Sequence, residues 1–187
     1  MKNVPRRPAR APRPVPWHGT GRKHTHKHYT ILSLYYVMIS IELDQDHGKC
    51  IAVLVLLWVQ QQLIFAIAVA VARKKYGIQP PTLYPRDSEI KSLNLSPADV
   101  ESYMCVQRVH QNNVEFLSCF FPVMMMAMID HPTQTYHASV VVWIGRMFVA
   151  VGYYRGASTR VVGAFFHFGE YYVVYLAGKF ALRLIAG

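Results

Sequence analysis

Twenty-three consecutive residues, Cys50 to Ala72, carry no formal charge. Built as a helix rising 1.5 Å per residue, such a run crosses a hydrocarbon core of about 30 Å. Arg73, Lys74 and Lys75 come directly after it and form a charged stop at one interface. This segment marks the chain as an integral membrane protein rather than a soluble globular domain. Composition alone does not decide the matter. At 52% hydrophobic and 16% charged residues, the chain is only slightly more apolar than a soluble average.

The formal charge of +10 is a property of one end. Eight of the 20 Lys and Arg residues lie in residues 1–28, no Asp or Glu precedes Glu42, and beyond that point 12 basic residues face 10 acidic ones. Residues 1–28 are rich in Pro, Arg and His and show no hydrophobic period, so residues 1–41 are read as a disordered basic leader or extension. The leader resembles an organelle transit segment in its lack of acids but is poor in Ser. His24, His26 and His28 alternate, yet no Cys or acidic residue accompanies them, so no metal is expected. A nucleic-acid partner is not expected either, although basic tails of this kind can bind one. Thr30 to Ile41 is apolar but too short to span as a helix. Cys50, Cys105 and Cys119 form an odd set without metal spacing and are read as reduced thiols.

Beyond the first span, Tyr103 to Ile129 begins polar and ends almost wholly apolar, and Asp130-His131-Pro132 reads as a turn. Tyr136 to Tyr154 is a third span, interrupted by Arg146. A break at Gly156, Ala157 and Ser158 leads to a fourth, Val161 to about Leu184, which carries His167 and Glu170. The expected fold is all-α: a four-helix transmembrane bundle over residues 42–187. Gly163, Ala164, Gly169, Ala177 and Gly178 would let helices approach closely. Arg73, Lys74, Lys75, Arg86, Lys91, Arg155 and Arg160 fall on one side, and only Lys49, Lys179 and Arg183 on the other, which assigns the first group to the cytosol.

Arg108, Gln111, Asn112, Glu115 and Cys119 recur at i, i+3, i+4, i+7 and i+11, one stripe of a helix. Charge at membrane depth is costly and normally faces a bundle interior or a wet cavity. The stripe is either a binding surface or an Arg108–Glu115 pair that fixes packing. Arg146 and Tyr153, seven residues apart, share a face of the third span. Arg146 is either a ligand-binding group or a counter-ion for Glu115. Gly152-Tyr153-Tyr154-Arg155-Gly156 also fits an interfacial aromatic belt.

The run Arg108-Val-His-Gln-Asn112-Asn-Val-Glu115 resembles the R-x-x-x-N-x-x-E signature of the membrane-associated proteins in eicosanoid and glutathione metabolism. The longer run from Cys105 to Asn112, and Ala72-Arg-Lys-Lys-Tyr76 with Pro80, Pro81 and Tyr84 after it, are most similar to that family's type-three microsomal glutathione transferases. Gly145-Arg146 with Gly152-Tyr153-Tyr154 fits the same group. The resemblance covers about residues 42–187. It implies a homotrimer in an endoplasmic reticulum membrane, with mitochondrial or plastid membranes as the alternative. It also implies glutathione bound between subunits near the cytosolic face, with Arg73, Arg108, Asn112, Glu115 and Tyr153 as contacts. Arginines suit the two carboxylates of glutathione, and Glu115 suits its ammonium. Arg160 matches the arginine that stabilises the thiolate.

The implied activity is glutathione transfer to hydrophobic electrophiles and reduction of lipid hydroperoxides, with a leukotriene C synthase-like activity in view. Relatives commonly carry Tyr where this chain has Val149, some carry Tyr where it has Phe116, and the loop from Ala157 to Val162 is one residue shorter than theirs. These departures leave a non-catalytic lipid-binding scaffold as the alternative. A channel is disfavoured, because Gln60, Gln61 and Gln62 are the only polar cluster of the first span and are expected to pack against neighbouring helices. Glu170, three residues from His167, has no counterpart in the resemblance.

Overall fold

The computed structural model describes residues 42–186. Residues 1–41, including the expected leader, the His24–His28 alternation and the Thr30–Ile41 segment, lie outside the described residues.

Among the described residues, the regular structure is entirely helical. Helix α1 runs Gln45–Tyr76, α2 Asp87–Ser92, α3 Pro97–Asp130, α4 Pro132–Arg155 and α5 Phe166–Ala186, with a 3-10 segment over Ala157–Gly163 between the last two. Three helices, α1, α3 and α4, are long and apolar enough to cross a membrane. Helix α5 is as apolar along much of its length but carries Glu170, Lys179 and Arg183. Its start corrects the sequence reading by one turn and more. The residues from Val161 to Gly163 belong to the 3-10 segment, and the helix proper begins at Phe166.

The helix ends are set by local chemistry. Asp44 caps α1, its carboxylate accepting from the N–H groups of Asp46 and His47. Ser96 caps α3, and Asp99 returns a carboxylate to the Ser96 N–H at 3.1 Å, with Pro97 in the first turn. Helix α1 closes where the Ile78 N–H reaches back to the Arg73 carbonyl. Inside α1, Gln60–Phe65 form a π-helical turn. Such a widened turn rotates the residues around it relative to a regular α-helix.

The long helices alternate in direction. The start of α1 meets the start of α4, where the Thr133 hydroxyl donates to Asp46. The end of α5 meets the end of α3 through an Arg183–Asp130 ion pair at 2.5 Å. One end of the molecule therefore carries Asp46, Lys49, Asp130 and Arg183. The other carries the long loop after α1 and the 3-10 segment. The main core fills the half nearer the first end, with Cys50, Val53 and Leu57 of α1 against Leu117, Phe120 and Met124 of α3, Val142 of α4 and Val173 and Leu176 of α5.

Close approach is concentrated where the 3-10 segment and α5 pack on α4. A methyl group built on Gly163 would meet the backbone of Gly145 and Val149, and one built on Gly169 would meet the Ala138 carbonyl. These are two of the small residues expected to serve this purpose; Gly178, a third, has open space around it.

Candidate functional site

At the half of the molecule nearer the long loop, apolar packing gives way to a polar network. Asn113 of α3 is fully buried and donates to the Gln61 amide oxygen at 2.8 Å. Arg146 of α4, 4% exposed, donates from Nε to the Asn113 oxygen at 2.8 Å and from Nη2 to the Asn112 oxygen at 3.0 Å. Its guanidinium also lies over the rings of Phe116 and Phe166, at 4.6 and 5.0 Å. Of the two sequence options for Arg146, a pair with Glu115 is not formed; the hydrogen-bond partners are amide oxygens. Gln60 and Gln61 are buried as expected, whereas Gln62 is exposed. We expect Arg146→Met to strand the buried Asn113 oxygen. The cost is about 1–3 kcal/mol for that group alone, visible as a lowered thermal unfolding midpoint in detergent.

Outside this network lies an open groove. One end, about 330 Å³, is lined by Arg108, Asn112, Glu115, Tyr153, Ala157 and Arg160. It continues into a larger section of about 620 Å³, where Phe116, Val149 and Phe166 form an apolar wall, with Cys119, His167 and Glu170 beside it. The polar stripe of α3 therefore faces outward into a groove on the protomer, not into the interior of the bundle. Arg108, Asn112 and Glu115 are exposed there, and Cys119 is exposed as well.

Arg160 is positioned by the 3-10 segment. The Thr159 hydroxyl donates to the Gly152 carbonyl at 2.5 Å, which docks the segment on α4. Arg160 then donates from Nη1 to the Tyr153 hydroxyl at 3.0 Å. The Tyr153 oxygen raises the Arg160 guanidinium above its ordinary value, so the side chain stays cationic. The 3-10 segment thus delivers Arg160 to the groove. Gln111, also of the stripe, instead accepts from the Tyr84 hydroxyl, and Arg108 lies over the Tyr84 ring at 5.4 Å. The loop after α1 is in this way laid across the start of the stripe.

Of the six residues singled out in the sequence, five line the groove. Arg73 does not. It sits half-buried near the end of α1, and its Nη1 is enclosed without a hydrogen-bond partner among the described residues. Sequence reasoning missed Asn113 and Phe166. Asn113 carried a usable signal, because an Asn next to Asn112 on a helix points about 100° away, toward the opposite helices. Among the described residues, no group of three His, Cys, Asp or Glu side chains is placed to hold a metal.

Chemically, the narrow end offers two guanidinium groups, one carboxylate, one amide and one phenol within a single wall. The wider end is mainly apolar. Such a surface suits a small zwitterion with excess negative charge, next to an apolar partner.

A family model described as the MAPEG family matches residues 51–180. An uncharacterized protein of Synechocystis sp. is 32% identical over 102 residues, which cover 54% of this chain and 64% of that protein. The chain thus spans somewhat less than two thirds of that relative's length. With the family model covering well over half of its residues, including α3, α4 and the groove between them and α5, the chain belongs to the MAPEG family of membrane proteins.

Proposed function

We propose that this protein is a membrane glutathione transferase with glutathione peroxidase activity. It would conjugate hydrophobic electrophiles, with a leukotriene C synthase-like activity among the candidates, and reduce lipid hydroperoxides. The observation that carries this reading is the joint lining of one groove end by Arg108, Asn112, Glu115, Tyr153 and Arg160. Arg108 and Arg160 match the carboxylates and the thiolate, Glu115 the ammonium, and Asn112 the peptide groups of the tripeptide. The electrophile would approach along the apolar wall of Phe116, Val149 and Phe166, from the bilayer.

The chain functions in this reading as a homotrimer of four-helix protomers in the endoplasmic reticulum membrane. A trimer also gives Arg73 a role that a single protomer does not. Arg73, which does not line the groove of its own protomer, would contact glutathione held at a neighbouring subunit. Val149 stands where relatives carry a tyrosine, leaving Tyr153 as the phenol of the narrow end.

The direct test is glutathione binding by the purified protein, monitored together with thiolate absorbance in the ultraviolet. Tight binding with a thiolate band supports the enzyme. Retention of lipid with no thiolate would replace it with the non-catalytic scaffold reading. We further expect Arg108→Ala to raise the KM for glutathione by roughly 10-fold or more, in line with loss of a charge-assisted bond, while kcat changes little. Unaltered saturation by glutathione would remove Arg108 from the site.

A further inference from the structure

The wider end of the groove holds a pair that the glutathione reading does not use. His167 and Glu170 stand three residues apart on α5, and the imidazole Nδ1 lies 2.6 Å from the Glu170 carboxylate. Both line the same cavity as Glu115, Tyr153 and Arg160. A carboxylate on one ring nitrogen fixes the orientation of the imidazole and leaves Nε2 for another partner. The ring is also held from its sides, 4.0 Å from the Phe166 ring and stacked on Tyr171 at 5.6 Å. The imidazole is 47% exposed and the carboxylate 26%. Two ionisable groups on a helix as apolar as α5 are costly unless they border a wet or reactive space. Here they border the groove, beside its apolar wall.

We propose that His167 is the proton donor of this groove and that Glu170 is its positioning residue. The substrates concerned are those whose oxygen becomes an alkoxide when a thiolate attacks, namely epoxides and hydroperoxides. The inference rests on the thiol chemistry proposed for the same groove. With an epoxide, a C–S bond forms, the C–O bond breaks with its electron pair going to oxygen, and the alkoxide takes the proton from Nε2. With a hydroperoxide, an S–O bond forms to the terminal oxygen and the O–O bond breaks. The sulfur is oxidised to a sulfenic acid, and the departing alkoxide takes the proton. A second glutathione thiol then condenses with the sulfenic acid, giving the disulfide and water. In each case the imidazole regains its proton from solvent.

The titratable and charged groups facing His167 are Glu115 and Cys119 from α3, Arg146 and Tyr153 from α4, Arg160 from the 3-10 segment, and Glu170 and Tyr171 from its own helix. A chloronitroarene separates proton donation from everything else in the groove, because chloride leaves with its electron pair and needs no proton. The experiment compares full-length wild type, His167→Gln and Glu170→Gln with an epoxide, an alkyl hydroperoxide and a chloronitroarene.

We expect His167→Gln to lower kcat for the first two by roughly 10²-fold and to leave chloronitroarene turnover within about twofold. In Glu170→Gln the same two substrates should slow, by less than in His167→Gln, and chloronitroarene turnover should again be spared, because Nε2 is then less well aimed. Equal losses on all three substrates, or an unchanged rate with the epoxide, would overturn the assignment of His167. Wild type inactive on all three substrates would overturn the glutathione reading itself, and this inference with it.

Discussion

Arg160→Ala should remove the thiolate band of bound glutathione while leaving the assembly of the protein unchanged. A free thiol with a pKa near 8.5 is only about 3% ionised at pH 7, so losing the neighbouring cation costs up to ~30-fold in reactive species. The rate should fall by about that factor at neutral pH. It should recover as pH is raised toward 8.5 and beyond, because the thiol then ionises without help. Wild type, by contrast, should already be near its plateau at pH 7. The side chain is exposed and touches Tyr153 alone among its hydrogen-bond partners, so little stability should be lost. Normal turnover at pH 7 in this variant would disprove the role assigned to Arg160.

The second large effect is expected from a residue with no side chain at all. A methyl group on Gly152 would come within 2.5 Å of the Thr159 carbonyl oxygen and 2.8 Å of the Arg160 Cα. Neither is the tip of a flexible side chain; both are backbone. Helix α4 and the 3-10 segment must therefore separate in Gly152→Ala, and the Thr159 hydroxyl must release the Gly152 carbonyl it now holds. Overpacking of this kind costs about 1–3 kcal/mol. The larger consequence is displacement of Arg160. A shift of about 1 Å at a catalytic group can cost on the order of 10²-fold in rate. We expect kcat to fall by that order in Gly152→Ala, with a lower unfolding midpoint. Gly178→Ala is the control, because a Cβ there meets nothing within 4 Å. Full activity in Gly152→Ala would show that the docking of the segment does not set the position of Arg160.

Much of this arrangement can be read in the sequence because helical spacing is a strong constraint. Arg108, Asn112 and Glu115 fall on one line of any regular helix, and α3 is a single helix through that region. The charged stop at Arg73 falls in the last turn of α1, which ends at Tyr76. Other features depend on tertiary contact and left no periodic trace. Arg146 and Glu115 are opposite charges that a linear reading can pair, yet the amides of Asn112 and Asn113 satisfied Arg146 first. The π-helical turn at Gln60–Phe65 changes which face of α1 its glutamines present, and nothing in the run of apolar residues around it announces the change. Val161 to Gly163 continue the hydrophobic pattern of α5 but belong to the 3-10 segment, with Gly163 pressed against Gly145 and Val149.

The buried guanidinium of Arg146 has an electrical consequence. Its partners, Asn112 and Asn113, are dipoles rather than anions, so they hold the charge in place without cancelling it. In surroundings that screen poorly, such a charge projects farther than it would in water. At the groove wall this cation favours an anionic occupant, and the carboxylates of Glu115 and Glu170 in the same wall oppose that bias.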